Sequence, residues 1–119
     1  MTVAPAAAPA YDRADWASAF RNVGVELEGV ELTAARGAIP PELVGTLYRN
    51  GPGWFRYPSS STGHWFDGDG MLCAFTFTNG RVHFRNRYVR TPKYVEETAA
   101  QAVRYRGFGT QVPGGWKNN

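Results

Sequence analysis

The sequence predicts a mainly β fold of short antiparallel strands with one or two short helices, and three observations predict it. Residues 71–90 alternate apolar and polar side chains on either side of Asn79-Gly80, the pair that a two-residue type I′ hairpin turn prefers. The 119 residues include 14 Gly and 8 Pro, which break the chain too often for a helix bundle. Aromatic residues reach 14%, and such side chains suit a pleated surface. The length allows one domain with one modest core.

Residues 1–10 are Ala/Pro-rich and read as a flexible tail, leaving 11–119 as the domain. Asp12 or Asp15 can cap a helical turn that places Trp16 and Phe20 on one face. An internal echo follows, Gly24-Val-Glu-Leu and Gly29-Val-Glu-Leu, whose alternation predicts short, half-buried edge strands. Ile39-Pro40-Pro41 enforces an extended entry, because a residue before proline avoids the helical region. Thr46 to Asn50 reads as a strand stopped by a turn at Gly51-Pro52-Gly53, and residues 58–63 read as a polar loop.

In the hairpin, Met71, Cys73, Phe75 and Phe77 alternate with Leu72, Ala74, Thr76 and Thr78. The return strand places Val82, Phe84 and Tyr88 on the apolar face and His83, Arg85 and Arg87 on the other. Thr91-Pro92 is a helix start, with a hydroxyl at the N-cap and proline at the first helical position. The helix is expected over Lys93–Val103, with a stop near Gly107.

Composition removes several function classes. One cysteine excludes an internal disulfide framework and any multi-cysteine zinc site. No apolar run approaches the roughly twenty residues of a membrane-spanning helix. MTVAPAAAPA lacks the basic start and leucine-rich core of a secretory leader, so the expected setting is cytoplasmic and reducing. The net charge is +3, but residues 1–80 hold five basic against eight acidic side chains, and residues 81–106 hold seven basic against two acidic. A basic segment of that kind can meet phosphates or anionic lipid heads; the reading adopted is a solvated strand face, with no nucleic acid as partner.

The candidate chemistry is sparse. His64, Cys73 and His83 lack the spacing of a metal knuckle or of adjacent helical turns. His83 falls on the basic face, and Cys73 on the apolar face reads as a buried, inert thiol. In Asp67-Gly68-Asp69-Gly70 the carboxylates could face calcium, but a calcium loop needs more oxygen ligands and a distal Glu. The structural reading has the glycines at positive φ and both Asp side chains locking the turn before Met71 through nearby backbone N–H groups. No nucleophile–base pair and no phosphate-cradling loop can be built.

Four blocks taken together carry a resemblance: Ile39-Pro-Pro-Glu-Leu-Val-Gly-Thr-Leu-Tyr-Arg-Asn-Gly-Pro52, Phe66-Asp-Gly-Asp-Gly-Met71, Phe84 to Thr91 (FRNRYVRT) and Tyr105-Arg-Gly-Phe-Gly-Thr110. In that order they resemble the N-terminal region of the carotenoid cleavage oxygenases, the apocarotenoid and lignostilbene dioxygenases among them. The stretches Tyr94-Val-Glu-Glu97 and Pro113-Gly-Gly-Trp116 lean toward the bacterial apocarotenoid type.

The resemblance implies the N-terminal part of a seven-bladed β-propeller, with roughly one or two blades within this chain. It implies Fe(2+) held by four histidines, and O₂ that splits one double bond of a carotenoid or apocarotenoid into two carbonyl products. It also implies peripheral membrane contact, since an apolar polyene is drawn from a membrane. Aligned to the family, every iron-binding histidine falls beyond Asn119; neither His64 nor His83 matches a ligand position, and Cys73 stands where many members carry a histidine that is not a ligand. No catalytic, cofactor-binding or metal residue is therefore assigned, and this stretch by itself is expected to bind no iron. An ending at Lys117-Asn118-Asn119 with no closing strand reads as a fragment. The alternatives are a short non-catalytic module for an apolar ligand or membrane surface, and a non-functional truncation.

Overall fold

The structure of the protein is a computed structural model that describes residues 15–114, the side chain of Trp16 excepted. The expected tail over 1–10, Asp12, and the stretch 115–119 lie outside the described residues. Among the described residues six strands form, β1 (Val30–Leu32), β2 (Gly45–Trp54), β3 (Arg56–Tyr57), β4 (Ser60–Ser61), β5 (Asp69–Thr78) and β6 (Arg81–Tyr88), followed by one α-helix, α1 (Pro92–Ala100). Two 3₁₀ turns, Trp16–Phe20 and Trp65–Asp67, complete the set. The main sheet is antiparallel with strand order β1-β6-β5-β2, and β3 pairs only with β4.

The hairpin forms as its alternation and turn residues require. Met71 faces Tyr88 and Thr78 faces Arg81, and Asn79 (φ 48°) and Gly80 (φ 71°) are both left-handed, the type I′ signature. Opposed residues share a face, so Leu47, Phe75, Phe84 and Val30 make one apolar row across all four strands. The Phe75 and Phe84 rings lie 4.9 Å apart. This row is only partly covered: Leu47 is 51% exposed and Val30 40%.

The core sits instead at the end of the sheet where β2 leaves and β6 finishes. Phe20, Phe55 and Trp65 meet there with ring centroids 5.2–5.3 Å apart, and Tyr88 stacks on Tyr94 of α1 at 4.9 Å. Phe55 and Tyr88 are buried.

Several expectations are corrected. Gly51-Pro52-Gly53 is not a stop: β2 runs through it, with Pro52 opposite Gly70 and a register shift before Trp54. Proline is tolerated because β2 is an edge strand and needs no ladder donor there. Gly53 is required by a close approach, since a Cβ would lie 3.1 Å from Met71 Cβ and the Tyr88 ring. Residues 58–63 are not wholly loop, because β4 folds back on β3 and Ser60 Oγ accepts the Val103 N–H at 2.8 Å.

Only the second half of the echo is a strand. The first half is held by Asn86, whose Oδ1 accepts the Leu27 N–H at 2.6 Å and whose Nδ2 donates to the Val25 carbonyl at 3.0 Å. Val25, Leu27, Val30 and Leu32 are exposed rather than half-buried, as no described layer packs on them. Asp15 precedes the first 3₁₀ turn but makes no side-chain cap. Helix α1 begins as expected, Thr91 Oγ1 accepting the Tyr94 N–H at 3.1 Å, but ends at Ala100. Gln101 turns left-handed (φ 51°), and Glu97 Oε1 accepts the N–H groups of Arg104 and Tyr105 at 2.8 and 2.9 Å, drawing the chain away from a further helical turn.

A buried ion cluster docks α1 on the sheet. Lys93 Nζ donates to Asp69 Oδ1 at 2.7 Å and lies 3.1 Å from Glu97 Oε2, close enough for ion pairing but off the line of a hydrogen bond. The Tyr57 hydroxyl donates to Asp69 Oδ2 at 3.4 Å. All three charged side chains are buried. Burial raises the Asp69 carboxyl above its ordinary value, and the Lys93 ammonium offsets part of that; Tyr57 is raised in turn, chiefly by burial. Asp69 thus ties β5 to a helix 24 residues on, instead of bonding nearby backbone.

Gly80→Val should lower stability in urea denaturation by about 1 kcal/mol or more, from left-handed strain and a Cβ only 3.2 Å from the Ile39 carbonyl oxygen. Asn79→Asp should be nearly silent, and equal losses would contradict the turn type. Lys93→Met leaves two buried carboxylates without a cation and should cost about 3 kcal/mol. Arg87→Ala, which breaks an exposed pair, should cost less than about 1 kcal/mol. Similar melting temperatures for the two variants would show that the buried cluster does not hold the helix.

Candidate functional site

Two distant segments, 63–67 and 107–110, converge at the 3₁₀ turn Trp65–Asp67, just before β5. His64 starts this turn as its N-cap, Nδ1 accepting the Phe66 N–H at 3.1 Å. The tightness of the turn aims consecutive side chains in different directions, so Phe66 projects outward, 73% exposed, while Asp67 is 2% exposed.

Asp67 does not lock a local turn. Its Oδ1 accepts the N–H of Phe108 at 2.6 Å, and Oδ2 accepts the N–H of Gly109 at 2.9 Å and the Thr110 hydroxyl at 2.6 Å. Thr110 Oγ1 also accepts the Gly63 N–H at 2.8 Å, closing a ring of contacts between residues 63–67 and 107–110. Burial pushes this carboxyl up, but the Thr110 hydroxyl and the Gly109 and Phe108 N–H groups outweigh it and hold Asp67 below its ordinary value.

The glycines serve close packing here and not positive φ. Gly68 has φ −66°, and a Cβ on it would lie 2.6 Å from the Phe55 ring. A Cβ on Gly107 would lie 2.2 Å from Asp67 Oδ1, and one on Gly109 would lie 2.7 Å from His64 Cβ.

This clamp presents three rings together. His64 lies 4.9 Å from Phe66 and 4.7 Å from Phe108, and Phe66 lies 6.0 Å from Phe108, all in edge-to-face geometry. Phe108 is 77% exposed. Beside Phe66 runs an open groove of about 370 Å³, lined by Asn50, Pro52, Trp65, Gly68 and Gly70. The arrangement offers a braced aromatic surface for an apolar ligand, and the imidazole within it uses Nδ1 to accept the Phe66 N–H. Sequence reasoning missed Phe66 and Phe108; Gly107-Phe108-Gly109, an aromatic between two glycines, is the signal that a backbone is closely approached there.

The other candidates stay apart. His83 Nε2 lies 3.9 Å from Glu31 Oε2, on the opposite sheet face from half-buried Cys73. Among the described residues no three His, Cys, Asp or Glu side chains gather to hold a metal, so the residues present do not fit a resident iron. The basic strand is matched by the acidic echo: Arg81 pairs with Glu31, Arg85 and Arg87 with Glu28, and Arg90 with Glu26. The Glu26 carboxyl is lowered, first by the Tyr88 N–H and then by Arg90.

Comparison with known proteins gives a consistent result. Residues 20–119 match the model of the retinal pigment epithelial membrane protein family. The chain is 45% identical to the apocarotenoid-15,15'-oxygenase of Synechocystis, over 98% of its own length and 24% of that protein. It is 39% identical to human beta,beta-carotene 15,15'-dioxygenase, over 77% of this chain and 17% of that one. Cobalt-substituted Synechocystis ACO superposes with a TM-score of 0.76 at 47% identity, covering 86% of this chain and 22% of the other. The expected mainly β class holds, and the structural neighbours are carotenoid oxygenase propellers, although no closed sheet forms within the described residues. The chain spans about a quarter or less of the relatives it matches. With more than four-fifths of its length in that match and a sheet superposing on those propellers, the chain belongs to the retinal pigment epithelial membrane protein family, that of the carotenoid oxygenases.

Proposed function

We propose that the chain is part of an oxygenase that uses ferrous iron and O₂ to split one carbon–carbon double bond of a carotenoid or apocarotenoid. The balance needs no further reductant: the C=C and O–O bonds break, and two C=O bonds form, one on each product. The iron ligands would come from histidines outside these residues. The four-stranded antiparallel sheet has the strand number of one propeller blade, and residues 11–119 would be the first part of such a domain. We place the protein in the cytoplasm, touching a membrane from which an apolar substrate is drawn; no described helix is long and apolar enough to cross one.

One observation carries the reading. Phe66 and Phe108 are 73% and 77% exposed, yet the Phe66 N–H is held by His64 Nδ1 and the Phe108 and Gly109 N–H groups by the buried Asp67 carboxylate. Exposed aromatic surface held this firmly marks a contact site, and conjugated polyenes are flat, apolar and polarisable. This part of the molecule would bind and orient the polyene.

Expressed alone, the 119-residue chain should take up no stoichiometric Fe(II) and should not cleave an apocarotenal beyond free iron. Joined to the remaining three-quarters of the Synechocystis relative, it should give an enzyme that consumes polyene and O₂ one to one. In that enzyme Phe66→Ala and Phe108→Ala should each raise KM about tenfold, the loss of one good aromatic contact. Turnover by the chain alone, or an unchanged KM in both variants, would overturn the reading.

A further inference from the structure

We propose that Asp67 is a positioning residue whose buried carboxylate sets the spacing between Phe66 and Phe108; the inference rests on the reading of those two rings as the polyene contact. Asp67 is the covalent neighbour of Phe66 and accepts the N–H of Phe108 itself at 2.6 Å. One side chain is therefore one residue from the first ring and one hydrogen bond from the second. The neighbouring bonds, to the Gly109 N–H at 2.9 Å and the Thr110 hydroxyl at 2.6 Å, stop the 107–110 loop from pivoting about the first.

The loop's other bonds, Gly107 N–H to the Thr110 carbonyl at 3.0 Å and Gly63 N–H to Thr110 Oγ1 at 2.8 Å, hold its ends and leave the Phe108 N–H to Asp67. Phe108 is flanked by glycines, so no adjacent side chain wedges it, and its ring rests on His64 and Phe66. Gly107 packs directly on the carboxylate, leaving no room for a Cβ, so the loop position follows the oxygen positions. Three donors on two oxygens also require the carboxylate: an amide keeps one acceptor oxygen and turns an N–H₂ group toward a donor. Hydrogen bonds to a buried anion are the strong kind, which suits a residue that must hold two exposed rings still.

The test uses the joined oxygenase described above, with rates normalised to bound iron. Asp67→Ala should raise KM for an apocarotenal about tenfold, as far as the ring truncations do, with kcat within about twofold. Asp67→Asn, which keeps one acceptor, and Thr110→Val, which removes one donor, should fall between Asp67→Ala and the parent. Should Asp67→Ala fail to fold, those two milder variants carry the comparison. A purely structural aspartate would instead lower the active fraction and leave KM unchanged, and that result in all folded variants overturns the proposal. The ring truncations separate the two claims. If they raise KM and the Asp67 and Thr110 variants do not, the positioning role alone is wrong; if they also leave KM unchanged, the contact reading falls and this inference with it.

Discussion

A charged carboxylate taken out of water must be compensated where it lies, and in this chain that requirement joins the two halves of the fold. Asp67 and Asp69 stand two residues apart, both buried, where the sheet meets its aromatic core. Neither can be satisfied by its own neighbourhood. Asp67 collects two backbone N–H groups and a hydroxyl from residues 108–110, and Asp69 takes the Lys93 ammonium from α1. The described excursion after β6 is thereby pinned in two places to the three residues 67–69, where β5 begins. The two carboxyls differ in how well this succeeds. Hydrogen bonds hold Asp67 below its ordinary value, whereas a single cation leaves Asp69 above its own.

Local rules read much of this fold. Asn79-Gly80 determines its own dihedral angles, and Thr91-Pro92 its own cap, because each depends on atoms a few bonds away. The aspartates were misread for the same reason in reverse. Two carboxylates flanked by glycines satisfy every rule for a local turn, and nothing within five residues reveals that the donors lie 41–43 residues downstream. Gly68, Gly107 and Gly109 follow suit: glycine at a turn and glycine at a close approach look alike until the neighbouring segment is placed. The motif blocks Phe66–Met71 and Tyr105–Thr110 carried the family resemblance, and in the structure those two blocks form one clamp.

Charge follows a similar course. The basic segment 81–106 and the acidic echo 24–32 look unrelated along the sequence. Once β1 pairs with β6, Glu26, Glu28 and Glu31 meet Arg90, Arg87 with Arg85, and Arg81 in order. These pairs are largely exposed, and each contributes at most about 1 kcal/mol. Their effect is on register: a one-residue slip would set Val30 and Leu32 beside the arginines and turn the glutamates onto the apolar face.

Two parts of the exposed apolar surface differ, and the difference bears on what each is built for. The row Leu47–Phe75–Phe84–Val30 is flat, continuous across four strands and unbraced by any buried polar contact, the form of a face that another layer covers about 10 Å away. The pair Phe66–Phe108 is small, sits beyond the strand ends and is underpinned by three hydrogen bonds to one carboxylate. A layer packed on the sheet would bury the first without touching the constraints that hold the second. Packing between propeller blades is face to face, the kind of contact that would cover such a row. Asp67 fixes the two rings from within this chain, through bonds that need no layer packed on the sheet.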